Sequence, residues 1–331
     1  MRSPTPSSPR SKWAAMALRG ARTMSWHGSA IRSPGAHEVR VAVTGATGYI
    51  GQQVVVELRR QGYRVAPLTR GGAPGKYRDM LLGDVGTLTE HFTSCQHVIH
   101  LAGQLVHDRD AGPLAYFAAN VELTNEVMCA AVETGLASVV HASSRLVYPA
   151  TLREPAIEDR DACPDTAYGI SKRWSEDLVR HVSASSSISA TSLRIAQVTG
   201  GDHPGLGVVN SFIRQAGSVG EITVNGRGEA IREIVHVTDV ARAFVSALDR
   251  AGEWQAINIG GTRSVTIAEI AHLVADATQS DVDVRHVDVD DEDLSRYALD
   301  STRARDELAW EPSWRPEDII QEAIKGRECA S

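Results

Sequence analysis

The stretch "VRVAVTGATGYIGQQVVVELRRQG", Val39 to Gly62, decides how the rest of the chain is read. Val39 to Thr44 is a β-branched run that ends at a glycine turn. From Tyr49 onward the apolar residues recur at helical intervals, until Gly62 stops the pattern. Gly45, Gly48 and Gly51 fall in the turn at GxxGxxG spacing. Each has a steric task in a strand–turn–helix unit. The first permits the tight turn, the second lets backbone approach a pyrophosphate, and the third lets helix and strand pack closely. The start of the helix then offers free N–H groups and the positive end of its dipole to phosphate. A dinucleotide is the expected ligand.

Working outward, "YRVAPLTR", "DMLLGDV", "HVIHLAG", "ASVVHASS" and "ISATSLRIAQV" read as further strands. Helical patterns separate them, above all Leu114–Gly135 and about Ala167–Val182. Strands alternating with helices imply βαβ units on a parallel sheet covered on both faces. The fold class is therefore α/β, a Rossmann-type doubly wound parallel sheet with a smaller C-terminal lobe. Residues 38–196 form the dinucleotide-binding domain, with 232–260 returning to it. Residues 197–231 and 261–327, less regular and richer in loops, form a substrate-binding lobe. "DVDVRHVDVDDED" holds seven carboxylates in thirteen residues and reads as a solvated edge strand and loop.

Residues 1–37 differ from everything after them, with six basic side chains and no carboxylate in a Ser- and Pro-rich segment. A transit-type presequence and an upstream start read through to Met16 or Met24 are weighed here. A disordered basic extension is favoured, and its apolar patch is too short for a secretory signal. The full chain of 331 residues is 42% hydrophobic with a formal net charge of -7. No apolar run suffices for a membrane span, and the acidic balance opposes general nucleic-acid binding. Cys95, Cys129, Cys163 and Cys329 are scattered, without CxxC pairs or histidines at ligand spacing. No metal site is expected, and the thiols read as the reduced cysteines of a cytoplasmic protein.

The end of the second strand reports on the cofactor. Thr69 stands where a ribose-binding carboxylate is usual, and Arg70 follows, suited to pairing with a 2′-phosphate. NADP is favoured over NAD. Further along, "TAYGISKRW" sets Tyr168 and Lys172 four residues apart, on one face of a helix. A phenol near pKa 10 is a poor acid–base group at neutral pH, and an adjacent ammonium is expected to bring it down. Tyr168 would then exchange a proton with an alcohol or carbonyl while hydride moves to or from a nicotinamide. Ser143 and Ser144, at the end of "HASS", are placed to orient the substrate oxygen.

The chain resembles the extended short-chain dehydrogenase/reductases, the group of NAD(P)-dependent nucleotide-sugar epimerases, dehydratases and ketoreductases. "TGATGYIG", "GDV", "HLAG", "SSRLVY", "YGISK", "REIVHVTDVA", "NIGG" and "ELAWEPSW" carry the likeness, in family order, over about Val39 to Ile324. The resemblance implies that Gly45, Thr47, Gly48, Tyr49, Ile50 and Gly51 line the pyrophosphate. Asp84 and Val85 would meet the adenine, and Leu101, Ala102 and Gly103 would border the cofactor. Ser144, Tyr168 and Lys172 would be catalytic, with Lys172 also on the nicotinamide ribose. Arg232 would contact a substrate diphosphate, beside Ser144, Arg145 and Gln197. A homodimer through the two long helices is a further implication.

Three departures shape the function. Arg145 and Leu146 replace the Asp–Glu pair that dehydratases use, which excludes elimination. Gln197 replaces a usual asparagine. Asp290 or a neighbour falls where a second phosphate-binding arginine is common, although Arg285 could serve from a shifted position. His97, His100 and His141 read as packed histidines and His236 as a structural hydrogen-bonder. The leading function is epimerisation or ketone reduction on a nucleoside-diphosphate sugar. Reduction of a non-nucleotide carbonyl is the alternative, and a non-catalytic dinucleotide sensor the remote one.

Overall fold

Seven short segments, interleaved with helices, assemble into one parallel sheet. The computed structural model describes residues 39–69, 78–79, 85–104, 112–152, 154–160, 162–201, 207–278 and 281–328. The strands are β1 (Arg40–Thr44), β2 (Arg64–Thr69), β3 (Arg78–Asp79), β4 (His97–His100), β5 (Ser138–Ser144), β6 (Ser189–Ile195) and β10 (Gln255–Ile259). Their order, β10-β6-β5-β4-β1-β2-β3, places β1 between β4 and β2. The chain thus reverses its direction of winding at β1. That switch point opens a crevice at the carboxyl ends of the strands, where the glycine loop lies.

Both faces of the sheet are covered, which explains why its central strands are buried along their length and do not alternate. On one face, α1 (Tyr49–Arg60) and α7 (Val237–Ser246) bury Val54, Leu58, Val240 and Phe244 against Val41, Val43 and Ile257. On the other, α2 (Val85–Phe92), α4 (Leu123–Thr134) and α5 (Ala167–Ala184) bury Leu88, Phe92, Val127, Met128 and Val179 against Ala42 and Val98. Gly135 ends α4 in the left-handed conformation at φ 69°. The short α3 (Pro113–Tyr116) joins α4 through a π-helical turn, Phe117–Glu122.

The remaining segments build a second core around Val209, Phe212, Ile222, Ile270 and Ile320. It comprises β7 (Gln197–Thr199), α6 (Gly207–Val219), β8 (Glu221–Asn225), β9 (Ile231–His236), β11 (Ser264–Thr266), α8 (Ile267–Ala277), β12 (Asp283–Val287) and α10 (Pro316–Glu328) in varying share, whereas α9 (Thr302–Leu308) packs Ala304 and Leu308 on the core beneath α1 and α7. β9 joins β7 and β11 in a three-stranded sheet, while β12 pairs with β8. The acidic segment matches its sequence reading, since β12 is a largely exposed edge. None of the described helices is long and apolar enough to cross a membrane.

Candidate active site

The glycine loop is fixed by contacts that leave no room for a side chain. A Cβ on Gly45, at φ 70°, would lie 2.8 Å from the Ala102 amide nitrogen. One on Gly51 would sit 2.1 Å from the Gly45 carbonyl oxygen. Thr44 Oγ1 accepts the Leu101 and Ala102 amides at 3.2 Å, tying the ends of β1 and β4 together. Thr47 and Gly48 are exposed above this floor, and Gly48 caps α1 with no side-chain hydrogen bond. Thr47 Oγ1 is 3.0 Å from Thr69 Oγ1. Tyr49 donates its hydroxyl to the Gly200 carbonyl at 2.5 Å, and Ile50 packs on the sheet core. Leu101 packs on the core beneath α1 and α7, and Ala102 and Val85, which opens α2, pack on the opposite face of the sheet. These residues fit a dinucleotide, because the loop is bare backbone where a pyrophosphate would need close approach. Arg70 and Asp84 lie outside the described residues.

The acid–base couple is assembled by a glycine that the sequence reading does not place among the site residues. Gly169 lets α5 start against the turn after β5, since a Cβ there would be 2.1 Å from the Leu146 carbonyl oxygen. Thr166 caps the helix, accepting the Gly169 amide at 3.0 Å. The close start brings the Tyr168 phenol toward Ser144, whose hydroxyl favours the phenolate. Ser144 Oγ also accepts the Leu146 amide at 3.2 Å. Lys172, one turn on, donates to the Ala142 carbonyl at 3.1 Å, and its Nζ is 5.9 Å from the Tyr168 ring centre. Nζ also approaches Gly103, 3.4 Å from where a Cβ would stand. Glycine loop wall, serine, tyrosine and lysine therefore meet in one place.

The electrostatics differ from the expectation for Tyr168. Burial pushes its phenol up to about 12, outweighing the Ser144 hydroxyl; Tyr116 adds to the rise, and Arg145 opposes it. Lys172 does not draw it down. Burial itself lowers the Lys172 ammonium to about 8, against the pull of Glu176. Asn120, on the π turn, is a further site residue that the sequence does not mark. Its Oδ1 accepts the Gln104 amide at 2.9 Å and its Nδ2 donates to Ser171 at 2.9 Å. A π turn beside a site is a frequent signature of function, yet it leaves no trace in apolar periodicity.

The second half of the site is cationic. Arg145 and Arg232 both lie against the Tyr297 ring, at 4.6 and 5.5 Å from its centre. Arg232 donates to Ser295 Oγ at 2.8 Å and pairs with Asp293. The acidic loop reaches the site through Asp293. Asp290 is exposed, and Arg285 is exposed on β12. Gln197, on β7, directs its amide nitrogen to Gly207, 2.8 Å from a Cβ position there. His100 and His141 are packed, as the sequence suggests. Burial holds His100 down to about 3, and its ring bonds Thr44 and Thr124. His236 caps α7 and stacks on Trp314 at 4.1 Å.

A strand–glycine turn–helix on a doubly wound sheet, facing a Ser–Tyr–Lys group, defines the class of NAD(P)-binding hydride-transfer proteins. More specifically, residues 41–260 match the NAD dependent epimerase/dehydratase family, and the chain belongs to it. It is 27% identical to UDP-glucose 4-epimerase of Azospirillum brasilense over 319 residues, 86% of this chain and 91% of that one. Among solved structures it resembles MoeE5 in complex with UDP-glucuronic acid and NAD, with TM-score 0.78, 26% identity, and coverage of 88% and 100%. It also resembles the UDP-glucose 4-epimerase of Thermus thermophilus in complex with NAD, with TM-score 0.77, 26% identity, and coverage of 88% and 100%.

Proposed function

We propose that the chain inverts a ring carbon of a nucleoside-diphosphate sugar through a keto-sugar, as an NAD(P)-dependent epimerase. The carrying observation is the close seat of α5 on the turn after β5, which sets the Tyr168 phenol under the influence of the Ser144 hydroxyl with Lys172 Nζ 5.9 Å from its ring. When bound, the dinucleotide supplies the nicotinamide that takes hydride from the ring carbon and returns it. Tyr168 removes the hydroxyl proton as that oxygen becomes a carbonyl, and gives it back as the alcohol reforms. Ser144 holds the oxygen in place, and Lys172 adds a positive charge behind the phenol. Arg232 and Gln197 are assigned to the substrate diphosphate, and the second core to the substrate lobe. UDP-glucose 4-epimerases among the relatives support the fourth carbon as the one inverted.

Net reduction with NADPH is the second reading, favoured by Thr69 in place of a ribose-binding carboxylate at the end of β2. Arg70 would then hold the 2′-phosphate. Among the described cysteines, Cys95, Cys129 and Cys163 are all free, which supports a reducing, cytoplasmic setting. Exposed Trp174 and Phe117, packed edge to face at 5.9 Å, support a homodimer through the long helices.

The test identifies the copurifying nucleotide and follows UDP-glucose by product analysis. Conversion to an epimer with no net change in absorbance at the NADH band is expected. Stoichiometric oxidation of NADPH on a keto-sugar nucleotide, without epimer formation, would replace epimerase by reductase.

A further inference from the structure

Arg145 stands immediately after the serine that meets Tyr168, at the opening of a single 3-10 turn, Arg145–Val147. Its Nη1 is buried and has no hydrogen-bond partner. Among the described residues, no carboxylate lies within ion-pair distance of it. The ionisable groups that act on it are Arg232, Tyr297, Glu233 and Tyr168, and Tyr297 lies against it. Arg232 repels it and already holds Asp293. Tyr297 offers a ring face and Tyr168 a neutral phenol. Glu233 is occupied with the Leu299 amide at 2.6 Å and forms no ion pair with Arg145, and burial raises its carboxyl to about 7, so it is only partly charged at neutral pH. Two guanidiniums therefore share one close carboxylate, and that carboxylate belongs to Arg232.

Arg145 is half-buried, and its inner Nη1 is cut off from water without a partner. A desolvated cationic edge without a counter-charge is costly, and a protein that retains one gains from an anion arriving with its ligand. Position decides which anion. Arg145 is one residue from Ser144, so it borders the reacting ring, whereas Arg232 is the group assigned to the diphosphate. A planar guanidinium with an open edge suits a carboxylate, which can accept two parallel hydrogen bonds. We propose that Arg145 is a specificity-determining residue that pairs with a carboxylate on the reacting sugar, making the substrate a nucleoside-diphosphate uronic acid in preference to a neutral hexose. The inference rests on the nucleotide-sugar reading above and narrows it.

The experiment compares UDP-glucuronate with UDP-glucose on the full chain, by initial rates and by calorimetric binding. It uses the wild type, Arg145→Gln and Arg145→Lys. The wild type is expected to favour the uronate in kcat/KM by at least about tenfold, in line with a charge-assisted hydrogen bond. Arg145→Gln is expected to lower the uronate-to-hexose ratio by at least about tenfold, chiefly through KM. Arg145→Lys restores part of the preference, since it keeps the charge and loses the fork. A wild type that prefers the hexose, or variants that lower both sugars equally, would overturn the proposal and leave Arg145 as packing for Tyr297. If neither sugar turns over, the epimerase reading fails by itself. The calorimetric preference for the uronate, kept or lost in Arg145→Gln, then still decides the role of Arg145.

Discussion

Two guanidiniums on neighbouring strands of the large sheet, one within β6 and one just past β5, are treated in opposite ways. Arg194, on β6 and 2% exposed, is closed by the protein itself. Its Nε and Nη2 donate to Glu176 at 2.9 and 2.7 Å, and its Nη1 donates to the Tyr148 hydroxyl at 2.7 Å. Burial alone would lower its pKa, yet the Glu176 carboxylate raises it above the ordinary value. Arg145, just past β5, is half-buried with its inner Nη1 left without such a partner, and burial with the Arg232 charge brings it down to about 10. A buried charge completed by the chain serves the fold, because removing either partner strands the other. A buried charge left incomplete beside an acid–base group serves a ligand.

The largest effect expected is on the open side. Tyr168→Phe removes the hydroxyl that Ser144 orients for proton exchange, and kcat should fall by about 10²–10⁴-fold. Thermal unfolding should move little, because no other described contact depends on that oxygen. A fall in kcat of less than about tenfold, measured on the epimerisation of a UDP-sugar, would sink the catalytic assignment. On the closed side the signature is reversed. Arg194→Met leaves Glu176 buried with only Ser143 and a 3.4 Å contact from Arg173. Loss of a buried partner of this kind costs about 3–5 kcal/mol, readable in urea unfolding. The preference between uronate and hexose should stay where it was. A shift in that preference would mean that the two guanidiniums are coupled and the contrast between them is false.

The sequence is most readable where structure is local. Most strands and helices of the sheet follow from apolar spacing and glycine stops, and the loop of Gly45, Gly48 and Gly51 from its spacing between a strand and a helix. The strand read in "DMLLGDV" is the exception: only Asp79 lies in β3, Val85 opens a helix, and residues 80–84 lie outside the described residues. Ser144, Tyr168 and Lys172 are legible because a helix puts i and i+4 on one face, and the strand end is marked by serines. What stays hidden depends on distant pairs. Nothing near Arg232 announces Asp293, sixty-one residues away, or near Arg145 announces Tyr297. The strand "REIVH" carries an apolar pattern much like that of "QAINI", yet β9 joins the three-stranded sheet and β10 the large one. Periodicity tells which residues are buried, but not which partner buries them. The Tyr168 shift runs against the sequence expectation for a similar reason: helical spacing gives the lysine, but only packing gives the burial that sets the direction of the shift.

The smallest effect concerns the helix that serves both sides. α5 begins at Ala167, carries Tyr168 and Lys172 in its first two turns toward the open site, and carries Glu176 in its third toward Arg194. Thr166 fixes where it begins, through its side-chain bond to the Gly169 amide. Thr166→Ala leaves that N–H without its cap, and an N-cap of this type is worth about 1 kcal/mol. The loss should appear in urea unfolding and be recovered by Thr166→Ser, which keeps the oxygen. Glu176 is far enough along the helix that Arg194 should feel nothing, so the stability cost should add to that of Arg194→Met. Tyr168 lies two residues from the cap, and a frayed first turn loosens its alignment with Ser144. The variant should therefore lower kcat by a few-fold while Kd for the sugar nucleotide holds. An unchanged kcat would show that Gly169, seated on the Leu146 carbonyl, positions the tyrosine without help from the cap.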